Sequence, residues 1–218
     1  MKLLATLCAL ILISESAGAK ITDPSCGGVL HGVAKNAELQ PVPGVQLVLR
    51  PIGVDFDYIL PTTKSDDAGA YTFEHVCAGR FTVLVDDERA GYPPEIWSYL
   101  LGYKHEAKVT SANLRIELPV LVPPKAGFLK VMARDKRTNV SIPTLQIMLK
   151  TPKVKMYDWI RITNESSEPL LLPANTDLLC RVFAGGFREW QEGRKKGKRI
   201  RLAPNGNITL DVPLEAQR

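Results

Sequence analysis

Pro43-Gly44-Val45-Gln46-Leu47-Val48-Leu49-Arg50 and Pro143-Thr144-Leu145-Gln146-Ile147-Met148-Leu149-Lys150 read alike. Both start on proline, carry glutamine at the fourth place and end on a base. Their apolar residues alternate: Val45, Leu47 and Leu49, then Leu145, Ile147 and Leu149. Period two over this length puts those side chains on one face of a half-buried strand. Two copies of one strand predict two copies of one unit.

The echo widens on both sides. Gly28-Val29-Leu30 opens the first unit and Gly127-Phe128-Leu129 the second. Phe81, Val83 and Val85 alternate before Gly91-Tyr92, and Leu178, Cys180 and Val182 alternate before Gly186-Phe187. Each unit closes on an alternating run into proline, Leu114 to Pro119 and Ile208 to Pro213. Short strands at regular spacing, with Gly, Pro, Asn and Asp between them, predict an all-β chain of two tandem sandwiches. Helical periodicity is weak; Pro94 to Gly102 has room for a turn or two.

Residues 28–85 resemble the carboxypeptidase regulatory-like domain, a transthyretin-like (CnaB-like) β-sandwich. The matching pieces are Gly32-Val33, Pro41-Val42-Pro43-Gly44-Val45, Asp66-Asp67-Ala68-Gly69-Ala70-Tyr71-Thr72-Phe73 and Cys77-Ala78-Gly79-Arg80-Phe81-Thr82-Val83. The family usually shows Pro-Pro-Gly where this chain has Cys77-Ala78-Gly79. The second unit resembles the family only through the first, since its turn Asn164 to Pro169 lacks the glycine. The resemblance implies a carbohydrate-binding-like fold and carries no peptidase activity.

The ends of the chain set the compartment and the boundaries. Lys2, the apolar run Leu3 to Ile13 and Ala17-Gly18-Ala19 read as a signal peptide over residues 1–19. The expected product is secreted: periplasmic, extracellular or on the cell surface. No later segment has the length of a membrane span. The first module is expected over 20–122 and the second over 127–218. Between them lies a proline-containing linker, 123–126, opened by Pro123-Pro124. Lys20 to Val122 holds nine basic and thirteen acidic side chains, whereas Pro123 to Arg218 holds eighteen and nine. The halves therefore carry opposite fields, which govern encounter with partners rather than fold.

Export leaves Cys26, Cys77 and Cys180, enough for one disulfide with one cysteine over. Cys26 precedes the first strand and Cys77 follows the strand Tyr71 to Val76. A sandwich can bring those ends together, so Cys26–Cys77 is the candidate bond. Cys180 alternates in phase with Leu178 and Val182, as a small buried hydrophobe would.

Catalytic patterns do not assemble. His31, His75 and His105 lack the spacing of a metal site on a helix. No G-x-S-x-G or phosphate-cradling loop is present. The pairs Asp55/Asp57 and Asp66/Asp67 and the run Asp86-Asp87-Glu88 lack calcium-loop spacing. The expectation is a chain without enzymatic activity, metal or cofactor.

Two surface features remain. Tyr92, Trp97, Tyr99 and Tyr103 cluster between two strands of the first unit, with Trp159 in the second. Flat rings on a loop at one end of a sandwich are candidates for stacking on sugar. Arg194, Lys195, Lys196, Lys198, Arg199 and Arg201 form a cationic stretch suited to an anionic polymer or surface. Export argues against nucleic acid. The leading expectation is a binding or adhesion module, with polysaccharide as ligand. The alternative is a structural or protein-interaction module with an envelope protein as partner.

Overall fold

The computed structural model describes residues 21–53, 59–151, 160–165, 169–190 and 197–217. The signal peptide expected over 1–19, Asp55, Asp57, Trp159 and Arg194 to Lys196 lie outside them.

The chain is all-β with very little helix. Its first half runs β1 (Gly28–Lys35), β2 (Gln46–Pro51), β3 (Thr62–Lys64), β4 (Ala70–Val76) and β5 (Gly79–Val85). A short 3-10 turn (Glu88–Ala90) and α1 (Glu95–Leu100) follow, then β6 (His105–Val109), β7 (Arg115–Glu117) and β8 (Val120–Leu121). The second half runs β9 (Gly127–Asp135), β10 (Thr144–Lys150), β11 (Ile160–Glu165), β12 (Leu170–Leu172), β13 (Leu178–Phe183), β14 (Lys198–Ile200) and β15 (Asn207–Leu214).

In the first half one sheet has the order β4-β1-β7, with β8 also on β1, and the other β3-β2-β5-β6. In the second half the orders are β12-β9-β15 and β11-β10-β13-β14. Strand for strand these are the same order. The directions agree too: β1 runs antiparallel to β4 and parallel to β7, and β9 antiparallel to β12 and parallel to β15. The pairs that echo in sequence fall on equivalent strands: β1 with β9, β2 with β10, β5 with β13, β7 with β15.

Each pair of sheets encloses a buried cluster, so each half is a β-sandwich. In the first, Leu30, Ala34, Tyr71 and Phe73 meet Leu47, Leu49, Phe81, Val83 and Val85. In the second, Leu129, Val131 and Val212 meet Leu145, Ile147, Leu149, Leu178, Cys180 and Val182. Alternation produces this directly, since every second side chain on a strand points to the same face. Gly32 is required where β7 gives way to β8, because a β-carbon there would lie 2.0 Å from the Leu118 carbonyl oxygen.

The edge of β4 is closed by the N-terminal segment. The Asp23 N–H donates to the His75 carbonyl, and the Cys77 N–H to that of Ile21. His75 adopts φ 56°, at the point where the β1–β4 register shifts, as in a bulge. A disulfide joins Cys26 to Cys77 across the same corner.

Candidate functional site

α1 is built by local sequence. Pro94 precedes its first turn, and a helix tolerates little proline further in. Gly91 leaves the preceding 3-10 turn at φ 82°, and Asp87 caps that turn by accepting from the Ala90 N–H. The helix then lies on the outer face of the sheet containing β5. There Val48 pairs with Leu84 and Arg50 with Thr82, out of phase with the core residues Leu47, Leu49, Val83 and Val85. Val48, Leu84 and Thr82 are nonetheless 1–2% exposed. Such burial on the outer face of an antiparallel sheet needs a covering layer, and α1 packs against β5 on this side. Glu95 of α1 accepts from the Arg50 guanidinium in a half-buried ion pair.

A cleft of about 480 Å³ opens beside this contact, lined by Arg50, Ile52, Thr82, Glu95, Tyr99 and Glu106 among others. Burial raises the Glu95 carboxyl above its ordinary value, and the Arg50 charge pulls it back. At the rim Lys104 and Arg80 pair with Glu106, and Lys104 lowers the pKa of that carboxyl.

The four described rings among those expected to bind sugar, Tyr92, Trp97, Tyr99 and Tyr103, do not form a platform. Trp97 is 1% exposed and belongs to the buried cluster of the second sandwich, with Leu100 beside it. A ring so enclosed has no face to offer a ligand, which corrects its assignment as a stacking residue. Sequence pattern missed this because α1 buries Trp97 against residues from the other half. Tyr92 is 7% exposed, and the Lys125 ammonium lies 3.6 Å from its ring centroid. Its accessible face is therefore already taken by a cation–π contact. Tyr99 is half-buried under Lys104, 4.8 Å from its centroid. Tyr103 lines a separate cleft of about 370 Å³ with Asn36, Pro123, Pro124 and Asn175. Among the four rings only Tyr99 and Tyr103 keep appreciable exposure, and they line different clefts.

The residues expected to form a linker are packed. Pro123 and Ala126 are buried, the Ala126 N–H donates to the Gly91 carbonyl, and Lys125 Nζ donates to that of Ala90. His105 Nε2 accepts the Leu121 N–H at 2.8 Å. Trp97, Lys125 and Tyr92 thus tie the halves together at one joint.

The cationic stretch is only partly described. Arg199 and Arg201 are exposed, Lys198 is half-buried, and Arg201 lies 3.6 Å from Asp177. Asp66 and Asp87 are engaged as turn and cap acceptors. Among the described residues no three His, Cys, Asp or Glu side chains converge as metal ligands. No helix among them is long and apolar enough to cross a membrane. Cys180 is buried, and desolvation pushes its thiol up to about 12.

No family model matches the chain, and no curated protein matches it. Some solved structures are similar. The Bacillus anthracis TIE protein is 13% identical at a TM-score of 0.34, over 87% of this chain and 34% of that one. Shaft pilin SpaA from Lactobacillus rhamnosus GG is 9% identical at 0.33, over 88% and 98%. The Streptococcal ancillary pilin is 12% identical at 0.33, over 89% and 64%. This chain spans about a third of the TIE protein's length. At these scores the likenesses carry no functional argument.

Proposed function

We propose that this chain is an exported, non-catalytic protein-interaction or structural module, built from two transthyretin-like sandwiches held as one body. The observation that carries it is Trp97, which leaves the first half on α1 and is buried in the core of the second. A flexible pair of binding modules would leave such a large apolar ring in its own half. The shared strand order supports the tandem division at residues 123–126. The Cys26–Cys77 bond supports export, because disulfides persist in oxidising compartments. Polysaccharide is the weaker reading, since among the described residues Tyr92, Trp97, Tyr99 and Tyr103 do not share one exposed surface.

Two measurements on the chain from Lys20 test this. Residual dipolar couplings should fit both sandwiches to one alignment tensor; two unrelated tensors would remove the single-body reading. Titration with neutral polysaccharides should give no saturable fluorescence change. Saturable binding lost in Tyr99→Ala or Tyr103→Ala would restore the carbohydrate reading.

A further inference from the structure

The turn after β1 and the turn after β9 are built alike and finished differently. In each, the side-chain Oδ1 of the first residue accepts two backbone N–H bonds. Asn36 takes those of Glu38 and Gln40, and Asp135 those of Arg137 and Thr138. Each turn then closes on that residue, as the Leu39 N–H donates to the Asn36 carbonyl and the Asn139 N–H to that of Asp135. Leu39 and Asn139 are therefore equivalent, and both stand in the left-handed region, at φ 63° and 61°. Asparagine suits that conformation, whereas leucine is strained in it. Leu39 is also 71% exposed, so little packing within the chain offsets the strain. Val140 is similarly exposed, at 63%, but not at positive φ. The second turn is closed in charge as well. Arg134 donates to Asn139 Oδ1 and pairs with Asp211, and Lys136 pairs with Glu215. Lys35 matches Arg134, since each bridges to the far side of its turn, at Pro41 and Ser141. Yet Lys35 and Glu38 have no ion pair among the described residues.

The first turn also forms one wall of the cleft at the joint. Ala37 and Glu38 line it together with Leu101, Tyr103, Pro123 and Pro124. An exposed apolar knob and a largely apolar cleft thus share one turn. A surface that carries both is complementary to itself about a two-fold axis, where the same patch serves both partners. We infer that a second copy of the chain docks here, with Leu39 of each copy seated in the joint cleft of the other. Charge follows the same symmetry. Lys35 and Glu38 are of opposite sign, three residues apart and free of internal ion pairs, so Lys35 of one copy pairs with Glu38 of the other. An unrelated partner would need only one sign of charge and only a knob or a cleft; a patch holding both of each fits its own copy. The inference rests on the protein-interaction reading above and names the partner.

Sedimentation velocity of the chain from Lys20, at concentrations from about 1 μM to about 1 mM, spans the dissociation constants of weak and moderate dimers. Monomer should pass to dimer and to nothing larger. Leu39→Asn should weaken the dimer about a hundredfold, about tenfold for each of the two leucines no longer buried. The same variant should raise the thermal midpoint of the dilute monomer, because asparagine relieves the strain. Those opposite effects separate an interface residue from one that serves the fold. Glu38→Lys should also weaken the dimer. Adding Lys35→Glu should recover part of the loss, since the cross-axis pair returns with its signs exchanged. A monomer at every concentration, an assembly that grows past the dimer, or a dimer indifferent to Leu39→Asn would overturn the proposal. So would a lowered midpoint in Leu39→Asn, which would assign the leucine to the fold. A monomer with one alignment tensor would remove this interface alone, whereas two tensors would remove the single-body reading and the joint cleft with it.

Discussion

The hydroxyl of Ser65 holds a turn together from outside it. It donates to the Val42 carbonyl at 2.8 Å and accepts the Val45 N–H at 3.0 Å, bridging the chain around Pro43-Gly44. Gly44, at φ 68°, allows the turn, and Ser65 completes it while 5% exposed. A buried donor or acceptor left without a partner costs its desolvation, so Ser65→Ala should destabilise the chain by about 1–3 kcal/mol. Urea unfolding would show the midpoint shift, and Ser65→Thr should recover part of it. His105 is a second such residue. Burial lowers its pKa from 6.5, and the bond from Leu121 acts in the same direction, because a protonated ring nitrogen has no lone pair to accept it. The unfolded chain therefore binds a proton at higher pH than the folded one. The stability this group contributes is present above 6.5 and is lost as pH falls through its lower folded value. Denaturant titrations between about pH 7.5 and 5.5 should show falling stability, and His105→Leu should flatten that slope. An unchanged slope in the variant would assign the titration elsewhere.

Strands were legible in the sequence because their cause is local. Val45, Leu47 and Leu49 alternate against their own neighbours, and burial follows the alternation. The Cys26–Cys77 bond was legible as a candidate for a related reason, since strand ends fix where a sandwich brings the chain together. The bond matters for the element it closes. It spans 51 residues and anchors the segment that covers the edge of β4. The chain-entropy account of a loop that long gives about 4 kcal/mol, within a general range of about 2–5. Cys26→Ser with Cys77→Ser should therefore lower the thermal midpoint and speed amide exchange first at Asp23 and at position 77. Exchange rising uniformly through both sheets would mean that the bond supports the whole sandwich rather than this edge. The covering role of α1 was not legible. Glu95-Ile96-Trp97-Ser98-Tyr99-Leu100 is too short for a decisive period, and an aromatic cluster beside prolines looks the same whether its rings face water or another core.

Across the whole molecule the question is whether the halves fold as one. Each sandwich has its own enclosed cluster, so separate unfolding would be the default for two domains joined by a short linker. Trp97 opposes that default, because it is covalently part of the first half and buried in the second. A buried tryptophan removes about 150–250 Å² from water, and at about 25 cal/mol per Å² that couples the halves by about 4–6 kcal/mol. Coupling of that size is a large fraction of the stability of one domain, which is typically about 5–15 kcal/mol. The intact chain should therefore unfold in one calorimetric transition. Trp97→Ala should cost about 3–5 kcal/mol and split the transition in two, with the second sandwich melting first because the cavity lies in its core. A single transition moved bodily downward in the variant would instead show that Lys125 on Tyr92 and the buried Pro123 and Ala126 hold the halves together without the ring. Two transitions in the intact chain would mean that Trp97 rests in the second core without coupling it to the first.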